Sequence, residues 1–235
     1  MARAVAEGWG GDFTEVDLMG HPSQKWYKSD DVCLFAVPVY SGRVPPVVIE
    51  WLQELVGNGA KAVLIAVFGN RAIDDALVEL VDELQRAGFR GVAAIEAVAQ
   101  HSLLPKYGAG RPDARDIEEL KDYGRQIREA MEADKLSEPL LLPGNHPYKK
   151  YKDVPLKPIA VGCCIACGNC EKQCPVGAIP SFNMARTDVD KCISCMRCIQ
   201  VCPVHVRKLS KSVVLAATVL MKKSCSAPKP NKLYL

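Results

Sequence analysis

The sequence predicts an open α/β sheet wound by helices on both faces, followed by a small cysteine-rich α+β domain. Three observations predict it. Two near-continuous apolar runs, 32–40 and 61–68, are rich in β-branched residues, as strands buried on both faces of a parallel sheet are. Segments with helical spacing fall between such runs, and strand alternating with helix means a doubly wound sheet. Nine of the eleven cysteines lie between Cys163 and Cys202, so the second half is a different kind of structure.

The elements follow in order. The chain opens in a helix-like run, ARAVAEG, with no secretory signal core. Residues 13–18 are a weak strand candidate, and 32–40 is the first strong one. A helix is expected over 46–56, then the strand 61–68. Residues 73–87 form a second helix, in which Leu77, Leu80, Val81 and Leu84 make one apolar stripe and Gly88 is the stop. Residues 91–99 are a further strand. A charged helix runs over 113–135, capped by Asp113 after Pro112. The Pro-rich stretch 141–158 reads as a linker between a first domain, 1–140, and a second, 159–210, with a helix and tail over 211–235.

Charge supports that boundary. Residues 1–150 carry 17 basic and 23 acidic side chains, and residues 151–235 carry 13 and 4. The overall net charge of +3 predicts no nucleic-acid partner and no strong attraction to membranes. The apolar stretch 213–221 is too short to span a bilayer. With neither signal nor span, a cytoplasmic location is expected, where clustered thiols bind metal or do redox work. The segment 208–223 has an apolar centre and Lys at both ends; it is either a helix packed on the cysteine-rich core or a membrane-surface helix.

Cys164, Cys167, Cys170 and Cys174 form C-x2-C-x2-C-x3-C before Pro175. Cys192, Cys195, Cys198 and Cys202 repeat the pattern 28 positions later, before Pro203. This is the spacing of bacterial ferredoxins with two [4Fe-4S] clusters. Three cysteines two residues apart wrap three corners of a cubane, and the fourth reaches the other cluster. One cluster is therefore assigned to Cys164, Cys167, Cys170 and Cys202, and the other to Cys192, Cys195, Cys198 and Cys174. Structural zinc is the alternative, but its paired C-x2-C knuckles need neither a third cysteine nor a proline-flanked fourth, twice. Ala166, Gly168 and Ser194 are small enough to let backbone amides approach cluster sulfurs. Cys163 has the wrong gap, Cys33 reads as a buried small hydrophobe and Cys225 as incidental in a polar tail.

ARAVAEGWGGDFTEVDL, PVYSGRVP, FGNRAIDDAL, HSLLPKYGAGRPDARD, the cysteine repeat and the closing NKLYL, in that order, make the chain resemble the flavodoxin–ferredoxin fusion proteins of anaerobes. The resemblance implies a flavodoxin-like parallel sheet followed by a bacterial-type 2[4Fe-4S] ferredoxin domain. It also implies FMN at the carboxyl ends of the strands, at the switch point of order 2-1-3-4-5. Tyr40, Ser41, Gly42 and Arg43 would then flank one side of the ring, and Gly69, Asn70 and Arg71 the other; alternatively these are ordinary turn residues. His101 falls near that ring, and His205 packs by the second cluster. The family's first strand and phosphate loop precede the ARAVAEG helix, in which this chain begins. The expectation is therefore a truncated sheet lacking its first strand, or a variant that closes the sheet otherwise and has lost FMN. An unpaired interior edge costs about 1–3 kcal/mol per unmade hydrogen bond.

There is no G-x-G-x-x-G and no nucleophile–base pair, so an electron carrier or oxidoreductase component is expected rather than a stand-alone enzyme. Three functions follow. The first is a low-potential relay of single electrons between a redox protein partner and FMN. The second is a ferredoxin whose first domain is a flavin-free docking or regulatory module. The third is a flavin-dependent reductase of a small molecule.

Overall fold

The structure is a computed structural model and describes residues 1–18, 24–137 and 139–235. It begins with α1 (Ala2–Trp9), followed by β1 (Val32–Pro38), α2 (Pro46–Gln53), β2 (Lys61–Phe68), α3 (Ala76–Arg86), β3 (Arg90–Val98) and α4 (Ala114–Glu132). β1 pairs with β2 and β2 with β3, both parallel, with Val32 opposite Lys61 and Lys61 opposite Arg90. These strands are the apolar runs of the sequence. A proline opens α2, where its missing N–H is no loss. The expected cap of α4 is present: Asp113 accepts from the Arg115 and Asp116 N–H groups at 2.8 and 3.0 Å, and the Asp116 carboxylate accepts from Asp113 N–H at 2.8 Å. Asp113→Ala should lower stability by about 1 kcal/mol, read as a lower urea midpoint at unchanged slope.

Helices cover both faces of the sheet. Trp51 and Leu52 of α2 and Leu77, Leu80 and Leu84 of α3 pack on Phe35, Leu64 and Phe68. Val5 of α1 and Leu120 and Ile127 of α4 pack on Val63, Ile65 and Ile95. α1 and α4 cross backbone to backbone. A Cβ on Gly124 would stand 2.1 Å from the Val5 carbonyl oxygen, and one on Gly8 would stand 1.9 Å from that of Lys121.

The second part of the chain holds β4 (Ile159–Ala160), α5 (Asn169–Lys172), α6 (Arg197–Gln200), β5 (Arg207–Lys208), α7 (Lys211–Cys225) and β6 (Lys232–Tyr234). β4 and β5 pair antiparallel and bracket the cysteine repeat. β6 returns to the first sheet and pairs antiparallel with β3, giving the order β1-β2-β3-β6. The expected wholly parallel sheet is thus a mixed one. A tail arriving from outside any strand–helix–strand unit is free to pair in either direction, and Asn231 fixes its register. Val98 N–H donates to Asn231 Oδ1 at 2.8 Å, and Asn231 Nδ2 donates to Glu119 at 2.6 Å and Asp116 at 3.0 Å.

The strand expected over 13–18 is not formed; Phe13 and Val16 are exposed instead. Asp31 C=O accepts from Lys61 N–H and Val39 N–H donates to Val67 C=O. Odd-numbered residues of β1 therefore face β2, and Val32, Leu34 and Ala36 turn their backbone groups the other way. There a cavity of about 670 Å³ is lined by β1, α1 and the segment 12–18.

α7 does not lie on the cysteine repeat. Its Val214, Ala217 and Met221 pack with Leu103, Leu104 and Tyr107, after β3, and Cys225, expected to be incidental, is fully buried there. Among the described residues no helix is long and apolar enough to cross a membrane. The stretch expected as a linker is fastened to α3. Asp75 accepts from Asn145 N–H and Nδ2, each at 3.0 Å, and from Lys149 N–H at 2.7 Å; Asp82 accepts from Tyr148.

Candidate metal centre

The duplication in sequence is a duplication in backbone. Ala166 and Ser194 have φ of 50° and 57°, Gly168 and Met196 of 80° and 63°, and Gly177 and His205 of 59° and 50°. Each pair is 28 residues apart, as are α5 and α6. Left-handed residues on both sides of the middle cysteine curl each loop, and such alternation turns successive backbone N–H groups into an anion-binding concavity. A cluster ligated by thiolates carries negative charge, so the concavity suits it.

The two halves of the repeat interlock. Cys174 of the first motif shares one pocket with Cys192, Cys195 and Cys198 of the second, closed by Ile179 and Met196. Ala178 N–H donates to Cys174 Sγ at 3.2 Å. In the other set Cys170 and Cys202 are buried, and Cys164 and Cys167 are exposed. Burial raises the Cys170 thiol, raises Cys195, and pushes Cys198 up to about 11. Cys202 behaves oppositely. Burial acts to raise it, but the backbone N–H groups of Arg207, Val206, Val204 and His205 together outweigh that and hold it below the ordinary thiol value. Among the described residues no three metal-binding side chains converge tightly enough for a single ion. The fit to a cluster rests on the all-thiol donor set, the shared pocket and the left-handed turns that curl each loop.

Of the residues placed around a flavin by resemblance, Tyr40 alone lines the 670 Å³ cavity, together with Phe35, Val37, Trp51, Ile193 and Cys195. Burial raises the Tyr40 hydroxyl far above its ordinary value, and the neighbouring Cys195 adds to the shift. Ser41 donates to the Lys152 carbonyl at 2.6 Å. Gly42 has φ of 78° and abuts the Asp74 carboxylate. Arg43 is paired with Glu79 and donates to the Lys149 carbonyl. Gly69 backs onto His101, and Arg71 pairs with Asp74. Buried Asn70 ties down the tail: its Nδ2 donates to the Cys225 and Ala227 carbonyls at 2.6 and 3.1 Å, and Lys229 N–H donates to its Oδ1 at 3.0 Å. His101 Nδ1 accepts from Leu103 N–H at 3.3 Å; burial, then Arg71, lowers its pKa. Cys33 is half-buried on the cavity wall, its thiol pushed to about 11 by burial.

Sequence reasoning passed over Asp75, Asn231 and Arg207. The first two act across long chain separations, which no local pattern announces. Arg207 did leave a signal, since it stands where the repeat has Ile179.

No curated protein matches the chain. The sequence model of a 4Fe-4S dicluster domain matches residues 163–206, the stretch that holds all eight regularly spaced cysteines, so the chain carries an iron–sulfur electron-transfer domain with at least one 4Fe-4S cluster.

Proposed function

We propose that the chain is a low-potential carrier with two [4Fe-4S] clusters, one on Cys164, Cys167, Cys170 and Cys202 and one on Cys174, Cys192, Cys195 and Cys198. It exchanges single electrons with a redox protein partner and with FMN lodged against Tyr40. The observation that carries this reading is that Tyr40 and Cys195 stand in the wall of one cavity. Its 670 Å³ falls within the roughly 300–1,000 Å³ of small-molecule sites. When bound, a flavin supplies exchange between one- and two-electron chemistry, and clusters supply single-electron capacity. Tyr40 offers an aromatic ring, Phe35, Val37 and Trp51 keep the wall apolar, and Cys195 would hold iron beside it.

A flavin-free docking module is the second reading, and two observations favour it. Asp12, Glu15, Asp17 and Asp31 line the same cavity, which disfavours a phosphate group there. The loop 69–71 is occupied by the tail and by Asp74.

Iron, acid-labile sulfide and FMN per chain, measured on one anaerobic preparation, test both. About eight irons, eight sulfides and one FMN are expected, and Tyr40→Leu should weaken FMN binding by about two- to tenfold, the worth of a ring contact. The same iron with no FMN, even after FMN is added back, establishes the docking module instead.

A further inference from the structure

Arg207 is 2% exposed, in β5 just after the cysteine repeat. Its counterpart one repeat earlier, Ile179, is 4% exposed. The duplication has thus put a guanidinium where its other copy has an apolar side chain. A buried charge is costly unless something compensates it. The hydrogen-bond acceptors around Arg207 are all neutral: Met184 C=O at 2.7 Å, Pro158 C=O at 3.1 Å, Arg186 C=O at 3.4 Å, and the Thr187 hydroxyl. Its Nε is buried with no partner.

Two of these partners, Pro158 and Thr187, line the pocket of Cys174, Cys192, Cys195 and Cys198, and Met184 reaches the first loop, its Cε 3.9 Å from where a Cβ on Gly168 would stand. The same charge favours the thiolate forms of Cys170 and Cys198, which fall in different ligand sets. The side chain is therefore anchored to segments beside both cysteine loops, held by carbonyls that fix its position without neutralising it.

We propose that Arg207 is a positioning residue, a permanent positive charge buried against both cysteine loops that raises the reduction potential of both clusters. The proposal rests on the two-cluster reading. Taking up one electron makes a cluster more negative by one charge, and a nearby cation in a low-dielectric interior favours that reduced form. Arginine stays protonated throughout the working pH range, so the effect does not depend on pH.

The test is an anaerobic redox titration of the whole chain, followed by visible and electron paramagnetic resonance spectra, with iron and sulfide counted beforehand. Arg207→Ile copies the other half of the repeat and should keep its iron, with the electron-uptake equilibrium of each cluster about tenfold weaker, or 59 mV lower for one electron. Arg207→Lys keeps the charge and should shift each equilibrium by less than threefold. An iron-loaded Arg207→Ile with unchanged potentials, a shift confined to one cluster, or an equal shift in Arg207→Lys overturns the proposal. If Arg207→Ile does not load, Arg207→Lys decides: loading with near-native potentials supports the charge, while failure to load or a tenfold shift rejects it. About four irons in the unaltered chain would instead reject the two-cluster reading, and the shift of the remaining cluster would still test Arg207.

Discussion

Cys174→Ala and Cys195→Ala, in different motifs, should each remove the same cluster and halve the iron from about eight per chain to about four. Cys202→Ala should remove the other cluster, although it follows Cys198 by a single turn. The geometry favours the crossing: Cys174 lies in the pocket of Cys192, Cys195 and Cys198, which Cys202 does not line. Iron and sulfide counts, with electron paramagnetic resonance of the reduced protein, distinguish the two products. Should Cys174→Ala extinguish the signal that Cys170→Ala extinguishes, each motif holds its own cluster and the crossing is wrong.

Glu79→Ala should destabilise the first domain by about 3 kcal/mol or more, the cost of removing one partner from a buried ion pair. Glu79 is 4% exposed and accepts from Arg43 Nε at 2.7 Å and from Val44 N–H at 2.9 Å. Its loss strands both donors at the turn that carries Tyr40. Against a total stability of roughly 5–15 kcal/mol this is a large fraction. Glu79→Gln keeps one acceptor oxygen and should cost less. Urea unfolding of the iron-loaded protein measures both, and a loss below 1 kcal/mol in Glu79→Ala would mean that Arg43 finds other partners.

What the sequence disclosed was local. The runs 32–40 and 61–68 became β1 and β2 because continuous β-branched residues suit strands buried on both faces. Asp113 capped α4, and the repeated cysteines returned as a repeated backbone. What it hid was long-range. Three residues, Lys232–Tyr234, are too few to show a period, so β6 could not be seen. Asn70 reads as a loop residue until the tail arrives to take both ends of its amide. The strand expected over 13–18 needs a neighbour to hydrogen-bond, and its composition alone cannot supply one.

The return of β6 to the β3 edge also sets an order of biosynthesis. Roughly 130 residues separate the two strands, and the whole cysteine repeat lies between them. A ribosome adding about 5–20 residues per second needs on the order of ten seconds to cross that interval. Throughout it β3 presents an open edge, the kind of surface on which nascent chains misassociate. The iron-binding segment therefore leaves the exit tunnel before the sheet is closed, and metallation has a window in which the first domain is still unfinished.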